Sequence, residues 1–163
     1  MRIYLPATLP ILADLQKSGE HGPPPITAFA VTPALREWYT DDDEEELEYA
    51  AFSDAARASL RLLDADPTAP RRRAVLSADV PDGEVRPHPE LDRAVVRVAV
   101  PTPIEWFAAV HVDSVDAVPD ITAAAVAIIA ADLGDDDAQF VVDGAEGHEL
   151  QWYGVQEIPD LLG

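Results

Sequence analysis

The residues with the clearest chemical potential are one histidine and three aspartates, His111, Asp113, Asp116 and Asp120. His111 and Asp113 fall on a predicted strand, where side chains two positions apart project from the same face. The other two aspartates follow where that strand meets a helix. One imidazole and several carboxylates can bind a divalent cation or exchange protons with a substrate. The pattern therefore predicts a metal or acid–base site, and a histidine beside a capping aspartate also has a purely structural explanation.

The acidic turn at residues 132–146 matches a calcium-binding loop only in part. Counted from Asp135, the first, third and twelfth positions are acidic, but the sixth is Phe140, where the EF-hand needs a glycine for its sharp turn. The motif fails, and at most weak surface binding of a cation is left. We predict no cofactor.

Several enzyme classes are disfavoured by what the sequence lacks. It contains no G-x-G-x-x-G, Walker, G-x-S-x-G or H-E-x-x-H motif. It also has no cysteine, which rules out disulfides, a thiolate nucleophile and cysteine-bound zinc. These absences make an enzyme a weaker interpretation of the sequence than a domain that binds another protein.

A second group of residues is suited to binding another protein. Residues 41–48 hold seven carboxylates in eight positions. Trp152 and Tyr153 are neighbours on a predicted strand, so they point to opposite faces and at most one can enter the core. Carboxylates steer a basic protein and aromatic side chains supply contact area, although packing inside the fold also explains the aromatic pair. The predicted partner contacts are Asp42, Glu44, Glu45, Trp152 and Tyr153.

The net charge of −20 constrains the partners, because it repels nucleic-acid phosphates and anionic membranes and attracts basic proteins. We therefore predict no direct nucleic-acid binding. The charge also has a compositional explanation: Lys17 is the one lysine among eleven basic residues, as GC-rich coding or adaptation to salt would produce. A third hypothesis is an acidic surface that mimics DNA.

The element that must organise these residues is a helix predicted over residues 41–63. Leu47, Ala51, Ala55, Ala58 and Leu62 recur at helical spacing and form a stripe that faces the core. The acidic start suits the positive end of the helix dipole. Asp64 to Pro67 ends the helix, because proline cannot continue the hydrogen-bond ladder.

The remaining pattern mixes strands and helices without strict alternation. Strands are predicted at residues 2–5, 26–31, 74–80, 93–100 and 106–112, with a hairpin of residues 139–142 and 149–155. Further helices are predicted at residues 9–18, 32–39 and 121–131, with a short turn at 157–162. This order favours a single α+β domain over residues 1–163, a two-layer sandwich with a mixed or mostly antiparallel sheet against about three main helices.

Two features bear on location and assembly. No apolar run approaches the roughly 20 residues that span a bilayer, and the first residues do not read as a signal peptide, so we expect a cytoplasmic protein without a membrane partner. Residues 121–131 are almost entirely apolar. A helix with so little polar surface is either deeply covered or packed against a second copy, so a homodimer is one of two explanations for it.

Four segments resemble a known family: YLPATLP (4–10), AVTPALREWY (30–39), ELEYAAFSDAARASLRLL (46–63) and HELQWYGVQEIPDLL (148–162). They are similar to a family of short acidic actinobacterial proteins described only as a domain of unknown function. The resemblance implies a cytoplasmic actinobacterial origin and brings no activity, ligand or catalytic residue. Our leading hypothesis from the sequence is a non-enzymatic interaction domain. The alternatives are a cation-dependent enzyme or small-ligand protein at His111 and a DNA mimic.

Overall fold

The computed structural model describes residues 1–40 and 43–163, and strands and helices alternate irregularly along them. The strands of these ranges are β1 Arg2–Ala7, β2 Glu20–His21, β3 Ile26–Phe29, β4 Ala74–Asp79, β5 Val85–Pro87, β6 Val95–Val98, β7 Thr102–Pro103, β8 Phe107–Asp113 and β9 Leu150–Tyr153. The α-helices are α1 Leu9–Ser18, α2 Pro33–Trp38, α3 Glu44–Ala65, α4 Val118–Asp132, α5 Asp136–Glu146 and α6 Ile158–Leu162. None of these helices is long and apolar enough to cross a membrane.

The main sheet has seven strands in the order β5-β6-β3-β1-β4-β8-β9. Every neighbouring pair in it is antiparallel. β2 and β7 form a separate two-stranded ribbon. The predicted α+β class with a mostly antiparallel sheet is therefore confirmed.

Helices lie against both faces of the main sheet, because strand side chains alternate between the faces. Ile3 and Leu5 belong to the core that α1 and α6 cover. Tyr4 and Val75 point the other way, into the core under α3. A third apolar cluster joins the end of α3 to α4 and α5. The sequence pattern predicted two layers, one sheet and one set of helices. α1 and α6 form a further helical layer on the face of the sheet opposite α3.

The long helix predicted over residues 41–63 is confirmed from Glu44 onwards, and its start and end have identifiable causes. Residues 41–42 lie outside the described residues. The side chain of Asp43 caps the start by accepting a hydrogen bond from the N–H of Glu45 at 3.1 Å. The helix ends at Ala65, two residues before Pro67. Ser59 attaches it to the sheet, since its hydroxyl donates to the carbonyl of Ala7 and accepts from a β4 N–H.

The predicted hairpin is wrong in its first half: residues 139–142 lie in α5, not in a strand. Asp135 caps this helix by accepting from the N–H of Ala138 at 2.9 Å. Val142 and Ala145, three residues apart, are buried against α4, whereas Phe140 is 79% exposed. Helical spacing of the apolar side chains therefore outweighed the turn signal at residues 143–144. The second half, β9, is a strand that pairs with β8.

Two short strands lie in stretches that were predicted as loops. β2 pairs with β7, and β5 pairs with β6 through the register Val85 opposite Val98. Runs of two or three residues beside proline and glycine carry too little periodicity to be recognised alone. β5 thus forms the end of the main sheet that lies farthest from β9, whereas β2 and β7 form the separate ribbon.

Candidate functional site

The structure places His111 on the α3 side of β8. Its Nε2 lies 2.9 Å from the hydroxyl oxygen of Ser77, and its ring meets Phe52 edge to face with centroids 4.9 Å apart. Burial, together with the nearby Arg2 guanidinium, lowers the pKa of His111. These surroundings therefore favour the neutral form of the imidazole.

The predicted aspartate ligands lie in separate local contacts. Asp113 is fully buried, and its Oδ2 and Oδ1 accept from Nε and Nη2 of Arg73, each at 2.8 Å. Asp120 Oδ2 lies 2.7 Å from Nε2 of His148. Asp116 is exposed beside its helix cap.

His111 and Asp113 share a strand face, as their spacing predicts, but their contacts differ. Within residues 1–40 and 43–163, no three His, Cys, Asp or Glu side chains form a group that could hold a metal ion. The four predicted ligands are thus not brought together.

A groove runs between the first half of α3 and the strands β1, β4, β8 and β9, and we call it the aromatic groove. Its volume is about 370 Å³. Four strands, β1, β4, β8 and β9, supply its floor, and α3 supplies one wall. Its lining residues are Arg2, Tyr4, Glu45, Glu48, Tyr49, Phe52, Ser77, Ala109, His111 and Trp152.

Three aromatic side chains shape this groove. Tyr49 is 67% exposed on α3, and Trp152 is 64% exposed on β9. Phe52 lies between the wall and the floor, edge to face with both Tyr4, at 5.8 Å between centroids, and His111. Phe52 is thus fixed by contacts with two rings, whereas Tyr49 and Trp152 are accessible to a ligand.

One side of the groove is acidic. Glu45 and Glu48 extend from the first two turns of α3 into the lining. Arg2, the cation of the lining, is bound to the carboxylate of Asp79 at 2.7 and 3.1 Å. The acidic start of α3 therefore faces the groove next to exposed aromatic rings.

Two of the predicted partner contacts line this groove, and the other described ones lie elsewhere. Glu45 and Trp152 line it together. Glu44 instead binds Arg36 at 2.8 Å. Tyr153 packs against the core on the opposite face of the sheet, which agrees with the expectation that the two aromatics diverge. The prediction for Asp42 lies outside the described residues.

A deeper cleft of about 580 Å³ adjoins the groove, and both are lined by Tyr49 and Phe52. Arg73 contributes to this cleft although only 2% of the residue is exposed. Its hydrogen bonds to Asp113 and to the carbonyl of His148 use Nε and Nη2, and none of these uses Nη1. The buried ion pair thus holds a guanidinium at the base of the cleft.

Among the described residues, Asp54, which also lines the cleft, has the pKa that departs most from its ordinary value. Burial raises its pKa to about 6, the Asp92 carboxylate adds to the rise, and Arg61 and Arg57 oppose it. Both arginines are themselves bound to Asp132 of α4. A carboxyl group with such a pKa gains or loses its proton near neutral pH.

Sequence reasoning missed both Asp54 and Arg73. A run of three arginines, here residues 71–73, is most often a solvated, charged lead into a strand. Instead, Arg71 and Arg72 donate to backbone carbonyl groups, and Arg73 is buried. The apolar strand β4 begins at the next residue and is buried, so the last arginine of the run lies in the interior with it. This strand was the feature of the sequence that could have indicated the burial of Arg73.

The chemistry of the two adjoining depressions differs. The aromatic groove combines exposed rings with carboxylates, a combination that binds cations. The cleft combines a buried arginine with a carboxyl group of raised pKa. A search of curated proteins and a search of solved structures found no match to this chain. The model of a family of unknown function (DUF6912) matches residues 1–162, so the chain belongs to that family.

Proposed function

We propose that the protein is a non-enzymatic interaction domain that binds a basic segment of another protein in the aromatic groove. The observation that carries this proposal is the convergence of Glu45 and Glu48 with the exposed rings of Tyr49 and Trp152 in one groove. Arginine and lysine side chains pair with carboxylates and also stack on aromatic faces. A basic segment satisfies both kinds of side chain at once.

Two contributions should favour binding: long-range attraction by the net charge and short-range contacts of cations with the aromatic rings. A net charge of −20 raises the rate at which a cationic partner arrives, and this effect weakens with salt. Each cation placed over an aromatic ring contributes about 0.5–2 kcal/mol, depending on how far it is desolvated. Trp and Tyr are also the residues in which interfaces concentrate their binding energy.

The alternative of a cation-dependent enzyme has less support, because the Asp113 carboxylate is used by Arg73. The DNA-mimic alternative differs in a measurable way. A mimic presents carboxylates alone, so its binding does not depend on Trp152. We also propose a cytoplasmic location in an actinobacterial host, supported by the cysteine-free, arginine-rich composition.

The test uses a fluorescent peptide of alternating arginine and glycine, titrated by anisotropy at low and moderate salt. Glu45→Gln with Glu48→Gln, and separately Trp152→Ala, should each weaken binding about tenfold, which corresponds to 1.4 kcal/mol. The matched control is Asp136→Asn with Asp137→Asn in the first turn of α5. It removes the same charge away from the groove and should change binding less than about twofold.

Three results would count against the proposal. Equal weakening by both charge variants would mean that the whole field of the protein, not the groove, attracts the peptide. An unchanged affinity of the Trp152 variant would favour carboxylates alone, as in a DNA mimic. Absence of binding at low salt would overturn the proposal altogether.

The proposal includes a homodimer through the outer side of α4 and α5. Val126 on α4, Leu133 directly after α4 and Phe140 on α5 are 79%, 84% and 79% exposed. Residues 121–131 of α4 carry no charge. Two copies that each bear −20 repel least where their contact surfaces are uncharged, which supports a contact centred on residues 121–131 of α4.

A further inference from the structure

The strand β9 forms one end of the main sheet and pairs only with β8 among the described residues. The outer strand of a sheet leaves alternate backbone N–H and C=O groups facing away from the sheet. β9 also borders both depressions, because Leu150 lines the cleft and Trp152 lines the aromatic groove. An unpaired strand edge therefore lies beside the proposed binding groove.

The side chains of β9 alternate in a way that would order a neighbouring strand. Leu150 and Trp152 project to the α3 side, in register with Asp113 and His111, whereas Tyr153 packs on the opposite face. A strand added about 4.8 Å away would repeat this alternation. Its side chains on the α3 side would be roughly 7 Å apart, one beside Trp152 and the next towards the mouth of the cleft.

Charge determines which occupant fits this edge. Glu149 lines the cleft at one end of β9 together with Glu146, which lies 3.7 Å from Arg57, and Glu45 and Glu48 line the groove beside it. The charge of Arg73 in the cleft is compensated by Asp113. A second copy would bring the same carboxylates against themselves. An extended segment with a basic residue at every second position would instead place its cations between these acidic groups.

We propose that β9 accepts an extended basic segment of the partner as an additional strand, with alternate arginine or lysine side chains over Trp152 and the cleft. This inference rests on the proposed function and specifies its mode. In such recognition the main-chain hydrogen bonds supply affinity and the alternate side chains supply specificity. The partner segment must therefore be extended and free of proline at the bonding positions.

The experiment uses the full chain and the synthetic peptide Arg-Val-Arg-Val-Arg-Val. Two further peptides carry N-methyl groups on all valines or on all arginines, so that each blocks the N–H groups of one peptide edge. One of the two should bind at least tenfold more weakly than the parent, because its blocked edge is the one that faces β9. Amide hydrogen exchange within residues 150–153 should slow at least tenfold when the parent peptide binds.

The outcomes separate this inference from the function on which it rests. Unchanged affinity of both methylated peptides, with unchanged exchange in β9, would overturn strand addition. If Glu45→Gln with Glu48→Gln still weakened the parent peptide, groove binding would nevertheless stand. If neither this peptide nor the arginine–glycine peptide bound at low salt, both proposals would be overturned.

Discussion

Single residues set the acidity of the cleft, and Asp54 gives a prediction for pH dependence. Its pKa of about 6 means that the folded chain holds a proton at pH 5 that the unfolded chain has largely released. The stabilising contribution of Asp54 is therefore greatest below about pH 4 and is lost as the pH rises towards 6. Because water screens this half-buried group, we expect a loss of about 1 kcal/mol or less between pH 5 and 7.

Asp54→Asn should remove this dependence and stabilise the protein at pH 7. The free energy of unfolding of the wild type and of the variant is measured in urea at pH 5 and at pH 7. The difference between the two proteins at pH 5 is then compared with their difference at pH 7. Asp64→Asn, at the exposed end of the same helix, is the control and should shift both values equally. A wild-type to Asp54→Asn difference that is the same at pH 5 and 7 would show that burial does not raise this pKa.

The buried pair of Arg73 and Asp113 predicts a large stability effect. The two side chains are 3% and 0% exposed, so removing one leaves the other charge in the interior without compensation. Asp113→Ala should lower the free energy of unfolding by about 3–5 kcal/mol. The double variant Arg73→Met with Asp113→Leu should recover much of this loss, because apolar side chains of similar volume then fill the site.

The exposed pair of Arg2 and Asp79 is the control for that experiment, since its side chains are 44% and 61% exposed. Asp79→Ala should cost less than about 1 kcal/mol. Both effects are measured by equilibrium unfolding in urea. Similar costs for the buried and the exposed pair would contradict the assignment of Asp113 to an interior ion pair.

At the scale of elements, α5 predicts opposite effects for two nearby apolar residues. Phe140 is 79% exposed and Val142 is fully buried. In the Leu133→Glu background, which removes the proposed dimer contact, Phe140→Asp should therefore change stability by less than about 0.5 kcal/mol. Val142→Asp should cost several kcal/mol there, because it places a charge in the interior. In a strand the two side chains would share a face. Comparable losses in thermal unfolding would thus indicate a strand here.

The sequence predicted well those elements that carry their own boundary signals. α1 has exactly the predicted bounds, because Thr8 caps it and Gly19, with a φ of 76°, ends it in the left-handed region. α5 was missed, since it buries few residues and contains Gly144, so Asp143 and Gly144 resembled a hairpin turn. Local pattern is decisive only where it does not compete with tertiary packing.

The candidate site was less predictable, for a reason of topology. Glu45 and Trp152 were identified separately, but their meeting depends on α3 crossing the sheet beside β8 and β9. Strand order follows from long-range pairing, which a single sequence does not display. The groove therefore had to be located from the structure, although some of its residue types were chosen correctly.

At the scale of the whole molecule, the exposed apolar side chains on and beside the uncharged residues 121–131 predict self-association. We expect a dimer in sedimentation velocity at micromolar concentration. Leu133→Glu should convert it to a monomer, because a carboxylate placed in that face adds repulsion between two acidic copies. Leu91→Glu, at another exposed leucine, is the control and should leave the dimer intact. A wild-type monomer across this range would contradict the dimer.

The position of β1 in the sheet has a consequence for how the chain is made. β1 lies at the centre, with three strands on either side of it. Its neighbour β3 follows within about twenty residues, whereas its other neighbour, β4, begins only at Ala74. During synthesis one edge of β1 therefore stays unpaired until the ribosome has released the residues of β4. Nascent molecules are most exposed to aggregation in that interval.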